Sequence, residues 1–171
     1  LGHGTNFKLR LPVKLPAEIT TTEKKPELIN QTFLLVTRSP VIRDSVSNSI
    51  ESLGGKIMIF NSSQDALKLF SGSDATIFSA IIVDEDLGDI PIPEFFGLLQ
   101  DSLFFADTFA LILSNPYFSS YHLDDLQVAR LEKPLFSSSL TQLLINQLSS
   151  EYDAKNISTQ ANMDCGSSIN V

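Results

Sequence analysis

The chain has 171 residues, is 43% hydrophobic and 19% charged, and carries a formal net charge of −8. That length holds one ordinary domain of about 100–150 residues plus tails and leaves no room for two full domains. No apolar run approaches a membrane span and no signal-peptide pattern opens the chain, so a soluble, cytoplasmic fragment without membrane contact is expected. The acidity is concentrated in residues 31–150, which hold fourteen Asp/Glu against six Lys/Arg; such a surface repels phosphate backbones, and nucleic-acid binding is not expected.

From Phe33 onward short apolar runs alternate with amphipathic stretches, the pattern of repeated βα units and a mostly parallel sheet. Phe33 to Val36 reads as the first strand. Ser39-Pro40 opens a helix whose apolar positions Val41, Ile42, Val46, Ile50 and Leu53 recur at helical spacing until Gly54-Gly55 stops it. Ile57 to Phe60 is a second strand, followed by a short helix around Ala66, Leu67, Leu69 and Phe70 that Ser71 to Asp74 closes. The run Ile77 to Val83 is the most apolar and reads as a strand buried on both faces, ending in Asp84-Glu85-Asp86. A third helix is expected over 93–104 and a fourth strand from Phe109 to Leu113, stopped by Ser114-Asn115-Pro116. Residues 117–127 would form a short fourth helix and Val128 to Leu131 a brief fifth strand. Leu140, Leu143, Leu144 and Leu148 line a final helix capped by Ser137 to Ser139. The expected fold is α/β, a doubly wound five-stranded parallel sheet with helices on both faces.

The ends break this pattern. Residues 13–31, with Thr20-Thr21-Thr22 and Glu23-Lys24-Lys25-Pro26, read as a linker. Residues 150–171 are polar and read as a disordered linker to a downstream module. The single cysteine, Cys165, lies there and has no partner for a disulfide. His3 and His122 stand apart from any metal-ligand or general-base set.

In a doubly wound sheet, site residues come from the carboxyl ends of the strands. Those positions are Thr37-Arg38, Asp84, Ser114 and Lys133. The arrangement, with Ile81-Ile82-Val83-Asp84-Glu85-Asp86-Leu87-Gly88, Ser114 and Lys133-Pro134, resembles the receiver domain of two-component response regulators over residues 32–149. The resemblance implies the flavodoxin-like strand order 2-1-3-4-5, with Asp84 as phosphoacceptor candidate and Ser114 and Lys133 as phosphoryl contacts. A strand one residue longer would put Glu85 in the acceptor place; Asp84 is preferred because Asp-x-x-Leu and a small residue mirror the family's Asp-x-x-Met-Pro.

The departures point to a pseudo-receiver. Receivers carry two acidic residues after the first strand to hold Mg2+; here they are Thr37-Arg38. Arg38 is expected to pair with Asp84 as a built-in cation, a pair worth about 4 kcal/mol in Coulomb terms before desolvation. The switch aromatic expected three residues before the lysine is Arg130. No metal or other cofactor is therefore expected, Mg2+ entering only if Asp84 works as an acceptor.

Residues 1–12 add a second resemblance. Gly2-His3-Gly4-Thr5-Asn6-Phe7-Lys8-Leu9-Arg10-Leu11-Pro12 is similar to the last glycine box and final strand of the histidine-kinase ATP-binding domain. With Gly2 and Gly4 as remnants of the nucleotide box, this implies a hybrid sensor kinase, itself membrane-anchored, as the parent chain. The fragment is then no enzyme but a regulatory or structural module, partnered by its own kinase core and a downstream receiver or phosphotransfer module. The alternative is a working receiver phosphorylated on Asp84. A flavodoxin-like or other small α/β enzyme is disfavoured: Thr37-Arg38-Ser39-Pro40 lacks the glycines of a phosphate-binding loop, and no Ser/His/Asp set is apparent.

Overall fold

The computed structural model describes residues 7–12, 27–70, 77–100, 105, 108–116 and 128–149. The most apolar runs become the central strands: β1 (Thr32–Val36), β3 (Ala80–Asp84) and β4 (Phe109–Ser114) are buried almost throughout. The mixed runs, β2 (Lys56–Phe60) and β5 (Val128–Glu132), are half-exposed and take the edges. All four pairings are parallel and the order is β2-β1-β3-β4-β5. This is the flavodoxin-like order that the receiver resemblance implies.

Because side chains alternate across a strand, the sheet feeds two cores. Phe33, Leu35, Ile82 and Leu111 face one side, where α1 (Pro40–Glu51) and a C-terminal helix α4 (137–149) supply Val46, Ile50, Leu140 and Leu144. Leu34, Val36, Ile81, Val83 and Ile112 face the other, against Ala66 of α2 (Ser63–Phe70) and Phe95, Phe96 and Leu99 of α3 (Ile92–Gln100). A fully buried Leu or Phe contributes about 1.5–3 kcal/mol, so burial on both faces explains why β1, β3 and β4 lack any polar alternation.

Helix α1 starts as its sequence dictates: the Ser39 hydroxyl accepts the Ile42 N–H and Pro40 occupies the first turn. It ends at Glu51 with Ser52 as C-cap, and the turn that follows closes through Gly54, whose φ of 83° few side chains tolerate. At Gly55 a Cβ would stand 2.7 Å from the Ile50 side chain, so only glycine lets β2 leave this closely beneath α1.

Three expectations are corrected. The β3 strand begins at Ala80 rather than Ile77, because pairing with β1 starts only at Phe33; Ile77 is left exposed while Phe78 turns into the core against Phe70. Ser137 to Ser139 form the first turn of α4 instead of capping it, since the Phe136 carbonyl already accepts the Leu140 N–H. Leu28, within the stretch read as linker, is buried and its N–H bonds the Leu53 carbonyl, so the packed unit reaches back before β1. The expected helix at 117–127, the closing turn at Ser71 to Asp74, residues 101–104 of the third helix and the tail at 150–171 lie outside the described residues.

Candidate functional site

Parallel strands bring their carboxyl ends to one edge, where Thr37 follows β1, Asp84 ends β3, Ser114 ends β4 and Lys133 follows β5. Asp84 is only 2% exposed. Its Oδ2 accepts the Thr37 hydroxyl at 2.6 Å, and its Oδ1 accepts the Lys133 ammonium at 2.6 Å and the Asp86 N–H at 3.2 Å. Thr37 is itself fully buried, and its oxygen also accepts the Ser39 N–H at 3.1 Å, which fixes the hydroxyl proton on the Asp84 side. The carboxylate is thus bonded on both oxygens.

Lys133 reaches further. Its ammonium also donates to Asp86 Oδ2 at 2.8 Å, and its backbone N–H is held by the Ser114 carbonyl at 2.9 Å. The Lys133-Pro134 bond that follows is cis. Asp86 stands on the single 3-10 turn Glu85–Leu87, which the Asp84 carboxylate caps and which Gly88 ends in a left-handed conformation. Asn115 closes the rim: its amide donates to Asp86 Oδ1 at 2.7 Å and its N–H to Glu85 Oε2 at 2.6 Å. Glu85 therefore points to the β4 loop, while Asp84 occupies the strand-end position facing Lys133.

The electrostatics follow from this geometry. Burial works to lower the Lys133 pKa, but the bonds from Asp84 and Asp86 outweigh it and hold the lysine above its ordinary value. Lys133, then Asn115, hold the Asp86 carboxyl below the usual carboxylate range. Lys133 is a fixed cation shared by two carboxylates.

Arg38 is not that cation. It is exposed, and its Nε donates to the Asn61 carbonyl at 3.3 Å, so the expected Arg38 to Asp84 pair is replaced by Lys133 to Asp84 at 2.6 Å. Consecutive side chains leaving a strand take opposite directions, and Thr37 has the inward one. Ser114 is buried one residue beyond Leu113, the β4 partner of Asp84. Arg130 is exposed on the edge strand, paired in register with Ile112. Gly2, Gly4, His3, His122 and Cys165 lie outside the described residues; of the remnant, residues 7–12 form no strand, and Phe7, Leu9 and Leu11 are exposed.

The side-chain groups around Asp84 are an ammonium and a hydroxyl. Magnesium requires several oxygen donors in octahedral array, whereas here an ammonium sits between Asp84 and Asp86 and a neutral hydroxyl covers the other Asp84 oxygen. Among the described residues no three His, Cys, Asp or Glu side chains are grouped to hold a metal. Asp86 and Asn115, which complete the network, were not singled out from sequence; the acidic run Asp84-Glu85-Asp86 was the available signal for the first.

No family model and no curated protein matches the chain. Solved structures do match it. The chain is similar to the receiver domain of a sensor histidine kinase from Pseudomonas aeruginosa, a structure with a magnesium ion coordinated in its active-site cleft: 17% identity, TM-score 0.61, covering 70% of this chain and 98% of that one. It is similar to a chemotaxis response regulator of Vibrio cholerae at 20% identity and TM-score 0.57, covering 68% and 98% of the two chains. An uncharacterized protein from Neptuniibacter caesariensis gives 23% identity and TM-score 0.61, covering 71% and 90%. At such identities what is shared is the receiver fold.

Proposed function

We propose that this chain is a degenerate receiver module of a hybrid histidine kinase in phosphorelay signalling, acting through contacts with neighbouring modules, with Mg2+ binding and phosphorylation impaired. One observation carries the reading: both oxygens of Asp84 are engaged by groups internal to the protein, Thr37 on one and Lys133 on the other. A carboxylate that attacks phosphorus needs an oxygen open to the incoming group and a cation bridging the two. Here the cation is a lysine already shared with Asp86. The partners are the kinase core, for which the resemblance of residues 2–12 is the support, and a receiver or phosphotransfer module downstream.

Mg2+ titration followed by amide shifts tests this. The expected result is no saturable change around Asp84 at millimolar Mg2+; saturation in that range would overturn the metal-free site.

A working phosphoacceptor is the second reading, favoured by the convergence of Asp84 and Lys133 with Ser114 at the neighbouring strand end. Incubation with a small phosphodonor and Mg2+ separates the two. One added phosphoryl mass, absent in Asp84→Asn, would establish the acceptor; an unchanged mass supports the degenerate module.

A further inference from the structure

The β2 side of the same sheet edge carries a second polar cluster, built differently. Arg38, in the loop after β1, donates from Nε to the Asn61 carbonyl at 3.3 Å. Arg43, in the first turns of α1, donates from Nη2 to the Asn61 side-chain oxygen at 2.7 Å. Two guanidinium groups thus converge on one exposed asparagine. In a chain of net charge −8, neither has a carboxylate within ion-pair distance among the described residues.

The hydrogen-bond arithmetic is one-sided. The carbonyl and the side-chain oxygen of Asn61 each accept one arginine N–H. Its side-chain NH2 adds two donor hydrogens. Among the described residues the Arg38 terminal nitrogens have no protein acceptor, and Arg43 Nε is buried without a partner. Asn61 opens onto a shallow hollow lined also by Phe60, Asp65, Lys68 and Leu69. The carboxylate there, Asp65, is already held by Lys68 at 2.6 Å and by the Ser62 hydroxyl at 2.8 Å. The N–H groups opening α2 are likewise taken, by Asp89 and Ser62. What remains at the surface is the exposed Arg38 guanidinium beside Asn61, with no anion among the described residues.

We infer that Arg38, Arg43 and Asn61 form a binding site for a phosphate-type oxyanion, either free or borne on a phosphorylated side chain. Guanidinium groups bind such anions through paired N–H bonds. An anion with three or more oxygens offers an acceptor to each of two arginines and an amide that do not share a plane, and a phosphate carries more charge than a carboxylate to meet two guanidinium groups. The site is independent of Asp84: Thr37 and Arg38 are adjacent, yet one side chain is bonded to Asp84 and the other to Asn61.

The test is a titration of the full chain, read by backbone amide shifts, with inorganic phosphate and separately with a phosphoserine peptide, chloride holding ionic strength constant. Saturable shifts centred on Arg38, Arg43 and Asn61 are expected. Arg38→Ala, a surface change that leaves the fold intact, should weaken them by about tenfold or more. Arg43→Lys, which keeps the charge and removes the fork, should weaken them as well, whereas Asp84→Asn should leave binding unchanged. Tighter binding of the peptide would assign the phosphoryl group to a protein partner, and equal binding to the free ion; either agrees with the site. Shifts that stay linear, or saturable shifts that survive both arginine variants or vanish in Asp84→Asn, would overturn it.

Discussion

The two ends of the carboxyl edge of the sheet solve the problem of charge in opposite ways. Around β3, β4 and β5 the charges are tied into one internal network: Lys133 lies 2.6 Å from Asp84 and 2.8 Å from Asp86, and the neutral Asn115 holds Asp86 and Glu85. Around β1 and β2, Arg38 and Arg43 share only the neutral Asn61. Burial accounts for the difference. A charge as deep as Asp84, 2% exposed, must be paired where it sits, while the exposed Arg38 guanidinium is satisfied by water and stays available to an external partner.

The largest way to break this contrast is Lys133→Met, which strands Asp84 without its cation. A loss of about 3 kcal/mol is expected in urea denaturation at neutral pH, and adding Asp84→Asn should restore part of it, because a neutral amide no longer needs the ammonium. Thr37→Val leaves Asp84 Oδ2 without its donor and should cost about 1–2 kcal/mol, read as a lower urea midpoint at unchanged slope.

Smaller effects follow pH. The folded Lys133 pKa is raised, so its stabilisation is whole below the ordinary lysine value of 10.5 and is lost as pH climbs through the higher folded value. The folded Asp86 pKa is lowered, so its share is whole above 3.8 and is lost as pH falls through the lower folded value. Between those limits these two groups should leave the melting temperature flat, and the alkaline fall attributable to Lys133 should vanish in Lys133→Met. Arg38→Ala should be the mildest change, within about 0.5 kcal/mol of the parent in the same urea experiment; a loss comparable to that of Thr37→Val would show that the β1–β2 side is structural after all.

Much of the fold was legible because its signals are redundant. Each central strand is an uninterrupted apolar run, Ser39-Pro40 and Gly54-Gly55 mark both ends of α1, and the strand ends place Thr37, Asp84, Ser114 and Lys133 on one edge. The partner of Asp84 was less legible. Arg38 and Lys133 are both cations at strand ends, and which one turns inward is settled by the direction of a single side chain after β1, which composition does not encode. The start of β3 was misplaced because Ile77 and Phe78 are as apolar as the strand, though one is exposed and the other is core. Leu28 lacked any periodic neighbours that would have marked it as buried.

That leucine also fixes where the chain joins the packed unit. Its N–H is bonded to the Leu53 carbonyl and the Gln31 N–H to its own carbonyl, so the chain is fastened just before β1, beside the end of α1. Asp84 lies at the opposite pole, some five residues or about 16 Å along the strands. Residue 27 therefore adjoins the packed unit at the pole opposite Asp84, beside β1 and the end of α1.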